Sequence, residues 1–560
     1  MPEKFTPAEV ISQQIARPSL RERLLVLCAV MIASACAVAW SWKNKAFLLY
    51  GDAEAHIHIA RRLFDSHRPG ITQLGSVWLP LPHLLLVPFV AVDSWWRNGF
   101  AAVLPSATCY LLACLGIYLI CRKWLSPLPS ALALAFFATN PNLLYLQTTA
   151  MTEPLFLCEL IWTVLLLLEW QCSLQSSANK QRSERLLWAI VGVLVAAIYT
   201  RYDGWILASI AWVAMAICLA RRARLLRTGF VLASIVLLLA PLGWMVYNAV
   251  VFGDWLDFMR GPYSARMIEL RTAISAISPH PGWHNPWVSA VYFEKAAELD
   301  AAAMGWGPLL FTVVLLGAGI AFLRHRRITL ASEVAQSIRP SVAWTQLLWL
   351  PLPFYAYSVS YGSVPIFLPV WVPFSYYNTR YGMELLPGFT IFLGFFLGAG
   401  LAFVSAHRPH LKFVSAAALF IALAANVAGM LKQGPIVYME GKRNSEARGY
   451  YNTEIPKVLS RLHSLDPDSL VLMDTSPFPS IVPHAGLTYR QTLNESDKEF
   501  YQAALAAPAA HAALILAFAG DEVDTAVKAH PEHLRTYQVF HFKDQLNATI
   551  YVADTSAAAR

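Results

Sequence analysis

The chain has 560 residues, of which 57% are hydrophobic and only 14% are charged. Because soluble globular proteins carry about 25% charged residues, this composition argues against a soluble protein. The net charge of +8 would suit a nucleic-acid partner. However, the basic residues stand in short clusters between apolar runs, and no basic stripe interleaved with aromatic rings is present. We therefore predict a polytopic α-helical membrane protein in contact with membrane lipid, with no nucleic acid among its partners.

Apolar runs long enough to cross a bilayer recur along most of the chain. A run of about 20 apolar residues matches the roughly 30 Å hydrocarbon core of a membrane, and several such runs cannot be one signal peptide. We predict about eleven transmembrane helices on this basis. The predicted spans are roughly 24–42, 100–121, 129–147, 152–170, 186–200, 204–220, 228–251, 303–323, 342–360, 383–404 and 411–431.

Basic clusters between these runs predict the orientation. Arg17, Arg21 and Arg23 precede the first span, so the positive-inside rule places residues 1–23 in the cytoplasm. The later clusters are Arg122-Lys123, Lys180/Arg182/Arg185, Arg221-Arg222-Ala223-Arg224, Arg324/Arg326/Arg327 and Arg408/Lys412. All of them are cytoplasmic if two spans separate each pair, which requires that residues 76–96 do not cross the membrane.

The segment 76–96 has features of an interfacial helix. Pro80 and Pro82 restrict its beginning, and the sequence Trp95-Trp96-Arg97 marks a membrane interface at its end. We predict an interfacial or re-entrant helix, with a true span as the alternative. The predicted transmembrane domain then covers residues 24–432, with extracytoplasmic loops at 43–99, 252–302 and 361–382.

Residues 433–560 differ in composition from the preceding chain. Four short apolar runs, at 470–473, 514–518, 539–542 and 549–552, alternate with helix-like stretches such as 496–508 and 521–530. This alternation predicts a small soluble α/β domain with a central sheet, outside the cytoplasm. A Gly-rich phosphate loop is absent from its sequence, so we predict no nucleotide site there.

The segment Tyr50-Gly51-Asp52-Ala53-Glu54-Ala55-His56-Ile57-His58 follows the first predicted span. On a helix, Asp52 and His56 would share one face, and Glu54 and His58 would share another. Either carboxylate could act as a general base or as a metal ligand. In the alternative interpretation, Asp52 caps the helix and Glu54 lies in its first turn.

Three further polar groups fall on the predicted outer side. Glu153, in Thr152-Glu153-Pro154, lies at the membrane edge, where a carboxylate indicates function unless it only complements the helix dipole. Arg201 could hold a phosphate or could simply pair with Asp203. The segment Tyr376-Tyr377-Asn378-Thr379-Arg380-Tyr381 suits a lipid phosphate, with an interfacial anchor as the alternative. Together these groups predict a cleft at the outer leaflet.

The chain resembles the GT-C glycosyltransferases, specifically the bacterial protein-mannosyltransferase-like and aminoarabinose-transferase-like branch. The resemblance covers about residues 20–430, and its order and topology are more specific than any one motif. The motifs that carry it are Gly51-Asp52-Ala53-Glu54, Trp78-Leu79-Pro80-Leu81-Pro82-His83, Thr152-Glu153-Pro154, and Arg380-Tyr381 followed by Leu385-Leu386-Pro387.

The resemblance implies an enzyme of the bacterial inner membrane that transfers a sugar from a polyprenyl-phosphate donor. The acceptor would be a lipid, a glycan or a protein at the periplasmic face. Asp52 is implied as the general base, and Arg380 is implied to lie near the donor phosphate. The other expected site residues are Glu54 and Glu153 in catalysis, Arg201, Tyr377 and Tyr381 at the donor phosphate, and Asp203, His83 and Tyr202 as acceptor-binding or supporting residues.

The sequence departs from the family pattern in two places, at Ala53 and at the pair His56 and His58, for which the resemblance implies no role. Many relatives have adjacent Asp and Glu in the first loop, whereas Ala53 separates Asp52 from Glu54 here. The spacing leaves open a divalent metal, Mg or Mn, held by Asp52, Glu54 and His56; no other cofactor is expected. A transporter or flippase of a lipid-linked or glycan substrate is the alternative function. Such a protein would more often show an internal repeat and broken helices near the midplane, and we find no repeat in the sequence.

Overall fold

The computed structural model describes residues 18–174, 180–222, 227–272, 279–335, 341–543 and 545–554. Arg17 and Arg224 of the predicted basic clusters lie outside these residues. The α-helices of the first half are α1 (Leu20–Lys43), α2 (Gly51–Arg62), α3 (Leu81–Val90), α4 (Asp93–Asn98), α5 (Val103–Cys121), α6 (Pro127–Ala138), α7 (Pro141–Leu146), α8 (Glu153–Leu174), α9 (Lys180–Thr200), α10 (Tyr202–Arg222), α11 (Arg227–Phe252), α12 (Asp257–Arg260) and α13 (Ala265–Thr272).

The second half continues with helices and then a small sheet. Its helices are α14 (Pro286–Ala301), α15 (Gly307–Ala335), α16 (Pro351–Tyr361), α17 (Leu386–His407), α18 (Lys412–Gln433), α19 (Ile436–Ala447), α20 (Gly449–His463), α21 (Ile481–His484), α22 (Lys498–Ala506), α23 (Pro508–His511) and α24 (Glu522–Ala529). Its strands are β1 (Val471–Leu472), β2 (Thr492–Leu493), β3 (Leu514–Phe518), β4 (Leu534–Phe540) and β5 (Ala548–Ala553). Short 3₁₀ helices lie at Ile71–Leu74, Phe100–Ala102, Val342–Trp349, Thr379–Leu385, Pro409–Leu411 and Tyr489–Gln491.

The chain is a helical protein with many apolar helices, as predicted for a multi-pass membrane protein. Within the described ranges, nine helices are long and apolar enough to cross a membrane. They are Leu20–Lys43, Phe100–Cys121, Glu153–Leu174, Lys180–Thr200, Tyr202–Ala220, Thr228–Phe252, Gly307–Arg324, Thr379–His407 and Pro409–Ala447.

Two of the predicted spans are not continuous helices. The segment 129–147 divides after Asn140, whose side chain caps α7 by accepting hydrogen bonds from the N–H groups of Asn142 and Leu143. Pro141 also disfavours helical backbone at the residue before it. The segment 342–360 consists of a 3₁₀ helix followed by α16, which begins at Pro351. The predicted number of eleven long helices is therefore not confirmed.

The segment 76–96 contains the short helices α3 and α4. The ten residues of α3 would extend about 15 Å at 1.5 Å per residue, whereas a membrane core is roughly 30 Å thick. This length agrees with the prediction that the segment does not cross as a single helix.

The described residues divide into two compact units. The first unit comprises the described parts of Met1–Ser41, Ser106–Thr148 and Thr152–Glu440. Helices α15 and α17 pack very closely within it, because a Cβ atom on Gly317 would lie only 1.9 Å from the carbonyl oxygen of Phe392. Only glycine permits this approach of the two backbones.

The second unit comprises Trp42–Pro105, Thr149–Met151 and the described part of Gly441–Arg560. It joins the predicted first loop to the C-terminal region: Gln73 donates from Nε2 to Oδ1 of Asp497 over 2.9 Å, and Arg97 donates from Nη1 to the carbonyl of Pro483 over 2.9 Å. The C-terminal region is therefore not isolated from residues 42–105.

The small sheet predicted in the C-terminal region is present. Its strand order is β2-β1-β3-β5-β4. Strand β1 is parallel to β2 and β3, whereas β5 is antiparallel to both β3 and β4. Leu472 and Ile515 of the parallel strands pack with Val523 and Tyr501 of the adjoining helices in one hydrophobic core.

Candidate functional site

A buried ion network in the first unit surrounds Arg201. The Nε group of Arg201 donates to Oδ2 of Asp203 over 3.1 Å, and its Nη2 atom lies 3.0 Å from Oε1 of Glu384. Its Nη1 atom donates to the Thr152 hydroxyl over 2.8 Å and lies 3.6 Å from Oε1 of Glu153. The pairing of Arg201 with Asp203 was one of the two interpretations of the sequence, and the structure has it as part of a larger network.

Arg380 belongs to the same network through Glu153. Its Nε group donates to Oε1 of Glu153 over 3.1 Å, and its Nη1 group donates to Oε1 of Glu440 over 2.8 Å. Glu440 also accepts hydrogen bonds from the backbone N–H groups of Asn378 and Thr379. Its carboxylate therefore fixes the backbone on which Arg380 stands.

Two tyrosines complete the network. The Tyr355 hydroxyl accepts a hydrogen bond of 2.6 Å from Arg201 and donates one of 2.7 Å to Glu384. The ring of Tyr381 stacks on that of Tyr355, and its face lies 5.3 Å from the Arg201 guanidinium and 4.9 Å from that of Arg380. Such contacts between cations and aromatic faces stabilise arginines that are removed from water.

Carboxylates outnumber guanidinium groups in this network. Glu153, Asp203, Glu384 and Glu440 face Arg201 and Arg380, and each of these four acids is at most 4% exposed. One oxygen of Glu153 and one of Glu384 have no hydrogen-bond partner among the described residues. The predicted role of both arginines at a donor phosphate stays a prediction, and their donors are already directed at these carboxylates.

Glu384, Glu440 and Tyr355 were missed by the sequence analysis. Glu384 carries a recognisable signal, because a carboxylate next to an apolar run is costly unless it has a role or a partner. It also lies four positions after Arg380. Glu440 and Tyr355 gave no comparable signal, since their neighbours in the sequence do not show that they approach the arginines.

Helix α2 of the second unit carries the predicted carboxylates of the first loop. Tyr50 occupies the N-cap position, and both Asp52 and Glu54 lie in the first turn. The interpretation of Asp52 as the helix cap is therefore wrong. Asp52 is half-buried, whereas the side chain of Glu54 is buried.

Glu54 forms an ion pair with Arg448. Arg448 also donates from Nη2 to the carbonyl of Leu49 over 3.0 Å, and the neighbouring Asn444 accepts from the N–H of Gly51. Burial raises the pKa of Glu54 to about 7, although the charge of Arg448 opposes this shift. These contacts fix the beginning of α2, and Arg448 was not among the predicted site residues.

The two histidines of α2 have different partners. Nδ1 of His56 lies 2.8 Å from Nε2 of His83, and the His56 ring also contacts Trp78. Nδ1 of His58 accepts a hydrogen bond of 2.9 Å from Nε1 of Trp96. His83 is fully buried, so its contact is with His56 rather than with solvent.

The metal site left open by the sequence does not fit these contacts. A divalent cation needs several oxygen or nitrogen ligands directed at one point, but Glu54 is engaged by Arg448 and His56 by His83. Among the described residues, no group of three or more His, Cys, Asp and Glu side chains is placed to hold an ion.

The remaining predicted residues have other surroundings. Tyr202 stacks on Phe258 with ring centroids 5.3 Å apart. Tyr377 pairs through its backbone with Phe367, and its side chain is exposed. The structure thus brings Glu153, Arg201, Asp203, Arg380 and Tyr381 together in the first unit, and it groups Asp52, Glu54, His56 and His83 on α2 and α3 in the second.

A large apolar cavity lies among helices of the first unit. Its volume is about 810 Å³, and its walls come from α8, α10, α15, the 3₁₀ helix Val342–Trp349 and α16. Gln171 lines one part of it and accepts hydrogen bonds of 3.0 Å from the N–H of Ser341 and from Nε1 of Trp344. Because the lining is almost wholly apolar, the cavity suits a hydrocarbon chain.

Comparison of the sequence with protein-family models and with curated proteins found no match in either set.

Proposed function

We propose that the chain is a membrane glycosyltransferase that moves a sugar from a polyprenyl-phosphate donor to an acceptor at the extracytoplasmic face. The acceptor is a lipid, a glycan or a protein side chain. In this proposal the N-terminus is cytoplasmic, and α2 and the C-terminal sheet are periplasmic, in the inner membrane of a bacterium. The basic clusters support this orientation.

The observation that carries the proposal is the accessibility of Asp52. It is half-buried in the first turn of α2, soon after the first apolar helix. The other acids singled out here are buried and face arginines: Glu54 faces Arg448, and Glu153 faces Arg380. Asp52 is therefore the predicted carboxylate that an acceptor hydroxyl can best approach.

The proposed reaction is a single displacement. The acceptor oxygen attacks the anomeric carbon of the sugar while a carboxylate oxygen of Asp52 takes the hydroxyl proton. The bond between the anomeric carbon and the phosphate oxygen breaks, and the polyprenyl phosphate leaves with the electron pair. One displacement inverts the configuration at the anomeric carbon.

The apolar cavity of the first unit supports a lipid-linked donor. Seven of its sixteen lining residues belong to helices that are apolar enough to cross a membrane, and the other nine lie between Ser341 and Pro353. A polyprenyl chain is hydrocarbon throughout, so part of it could enter this cavity without burying a polar group.

The test is sugar transfer by the Asp52→Asn variant of the full chain in lipid nanodiscs, with a labelled polyprenyl-phosphate sugar. Loss of the base should reduce the rate by about 10²- to 10⁴-fold. The matched control is Glu499→Gln, which removes an acid that is well exposed in the second unit and should leave the rate unchanged. Full activity of Asp52→Asn would exclude its role as the base.

The acid-rich network of the first unit favours a proton- or cation-coupled transporter as the second candidate. Buried carboxylates within apolar helices are typical of ion pathways, and two of these acids each have one oxygen without a partner in the described part of the chain. Substrate movement into proteoliposomes without sugar transfer, lost in Glu384→Gln, would favour this function over the first.

A further inference from the structure

Arg62 is a buried arginine whose side chain has no hydrogen-bond acceptor among the described residues. It is the last residue of α2 and is only 8% exposed. In the described part of the second unit its side chain forms neither a hydrogen bond nor an ion pair, and its Nε group is buried without a partner. The adjacent Arg61 is different, because it donates to Asp65 and to the carbonyl of Val90, each over 2.9 Å.

His58 presents a second donor that finds no acceptor within the described part of the chain. Its side chain is 2% exposed, and its Nδ1 atom accepts from Trp96, whose indole nitrogen can only donate. Burial, together with the charge of Arg62, lowers the pKa of His58 well below its usual range, so the ring is neutral. The ring proton therefore lies on Nε2, which has no partner among the described residues.

The two donors share one helix face. His58 and Arg62 are four residues apart on α2, so their side chains are neighbours. The ring of Tyr489 contacts both: its centroid lies 6.0 Å from that of His58 and 5.8 Å from Cζ of Arg62. Two unsatisfied donors, one of them cationic, therefore lie side by side.

Nearby groups offset the charge of Arg62 only in part. The C-terminal end of α2 and the face of Tyr489 both favour a cation, but neither accepts the buried N–H groups. Glu495 interacts with Arg62 electrostatically, yet its oxygens accept from the backbone and hydroxyl of Thr475 and from the Ser476 hydroxyl. The missing partner is an acceptor that also carries negative charge.

We propose that Arg62 and His58 bind the phosphate group of a phosphate ester in the second unit. Several phosphate oxygens can accept at once from Nε and Nη of Arg62 and from Nε2 of His58, in charge-assisted hydrogen bonds. A water molecule could accept from the same donors, but it would leave the charge of Arg62 unpaired. Identification of this group as the phosphate of the sugar donor rests on the proposed function, whereas phosphate binding itself does not.

The test uses the purified full chain in phosphatidylcholine nanodiscs and two probes, inorganic phosphate and a polyprenyl phosphate. Binding is measured by calorimetry and by the rise in Tm that each probe produces. The variants are Arg62→Gln, Arg62→Lys and the control Arg68→Gln, which removes an exposed arginine of the same unit. Arg62→Gln should weaken binding at least about tenfold, Arg62→Lys should weaken it less, and Arg68→Gln should not change it.

The Tm without a probe separates ligand binding from a structural role. Because the Arg62 side chain has no hydrogen bond or ion pair to lose among the described residues, Arg62→Gln should unfold at the wild-type temperature or above it. If this variant does not fold, His58→Phe, which removes one donor, should still weaken binding and provides the same test. A polyprenyl phosphate that binds when inorganic phosphate does not would identify a lipid headgroup, and binding of both would identify a general phosphate site.

Binding of neither probe to the wild type, or equal binding to Arg62→Gln, would overturn the inference. If the phosphate site is real but the proposed function is wrong, polyprenyl phosphate would bind in an Arg62-dependent manner and no sugar would be transferred. Conversely, if Arg62→Gln transfers sugar at the wild-type rate, the proposed function would be supported, but Arg62 would not take part in donor binding.

Discussion

Oε1 of Glu153 lies 3.1 Å from Nε of Arg380, although 227 positions of the sequence separate the two residues. The same oxygen lies 3.6 Å from Nη1 of Arg201. One carboxylate at the beginning of α8 therefore contacts two arginines that stand on other segments of the first unit. Since Glu153 is fully buried, these contacts are made away from water.

The first prediction concerns Glu153. Glu153→Gln should destabilise the protein by about 2 kcal/mol, because the buried hydrogen bond from Arg380 loses its charge assistance, while Arg201 keeps Asp203 and Glu384 and Arg380 keeps Glu440. Chemical denaturation in detergent measures this change. The control is Glu446→Gln, which removes an exposed acid from a pair with Arg443 and should cost at most about 1 kcal/mol. Equal stability of the two variants would contradict the network's role in folding.

The second prediction concerns the Tyr355 hydroxyl. Tyr355→Phe keeps the ring that stacks on Tyr381 but removes the hydrogen bonds to Arg201 and Glu384. It should lower the free energy of unfolding by about 1–3 kcal/mol, the cost of leaving buried polar groups unsatisfied. Tyr357→Phe changes an exposed tyrosine of the same helix and should have no measurable effect. A loss of similar size in both would assign the effect to something other than these hydrogen bonds.

The third prediction is a pH dependence in the second unit. Burial, assisted by the nearby Glu495, raises the pKa of Asp474 from its ordinary 3.8 to about 9. The folded state then binds this proton more tightly than the unfolded state, so stability falls as the pH rises from about 4 to about 9. Asp474→Asn removes that loss and should raise the Tm at about pH 8, with a gain that shrinks toward about pH 4.

Glu495→Gln is the matched variant for this pair. Hydrogen bonds from Asp474, Ser476 and Thr475 outweigh the opposing effect of burial and lower the pKa of Glu495. Its ionised form therefore contributes stability above its ordinary pKa, and that stability is lost as the pH falls. Glu495→Gln should lower the Tm at about pH 8. If both variants raised the Tm at about pH 8, or both lowered it, the inference that Asp474 is protonated while Glu495 is ionised would be wrong.

The fourth prediction compares two glycines of α15. Gly317→Ala would place a methyl group 1.9 Å from the carbonyl oxygen of Phe392, whereas a Cβ atom on Gly319 would meet nothing within 4 Å. Gly317→Ala should separate α15 from α17 and reduce the yield of folded protein in detergent. Gly319→Ala should be neutral, or stabilising by up to about 1 kcal/mol, because alanine favours helices over glycine. Size-exclusion profiles and Tm values of both variants measure the difference.

Much of the architecture could be predicted from the sequence, because the thickness of the bilayer fixes how many consecutive apolar residues a spanning helix needs. The predicted spans 24–42 and 228–251 coincide with long apolar helices, Leu20–Lys43 and Thr228–Phe252, because both are apolar runs without a charged residue. The predicted span 129–147 is not one continuous helix, because its average hydrophobicity does not register the cap at Asn140 and the proline that follows it. The strands near 470–473, 514–518 and 549–552 were located correctly from short apolar runs between helical stretches.

The side-chain partners could be predicted only in part. The pair Arg201 and Asp203 is close in sequence, so its contact was one of the interpretations considered. The contacts of Arg380 with Glu153 and Glu440 join distant positions and depend on how the helices pack. Arg62 was not predicted to be a binding residue, since it is one of two adjacent arginines at a helix end. Only the structure shows that, among the described residues, the side chain of Arg61 has acceptors and that of Arg62 has none.

The position of β5 within the sheet has a consequence for the order in which the chain can fold. Although β5 comes last of the five strands, it lies between β3 and β4 and pairs with both. During synthesis β3 and β4 leave the ribosome first, but they cannot be joined until residues 548–553 have followed. Until then each exposes an unpaired edge to other chains. The complete five-stranded sheet should therefore form only after translation has passed these residues, and a cut just before Ala548 should leave β4 unattached.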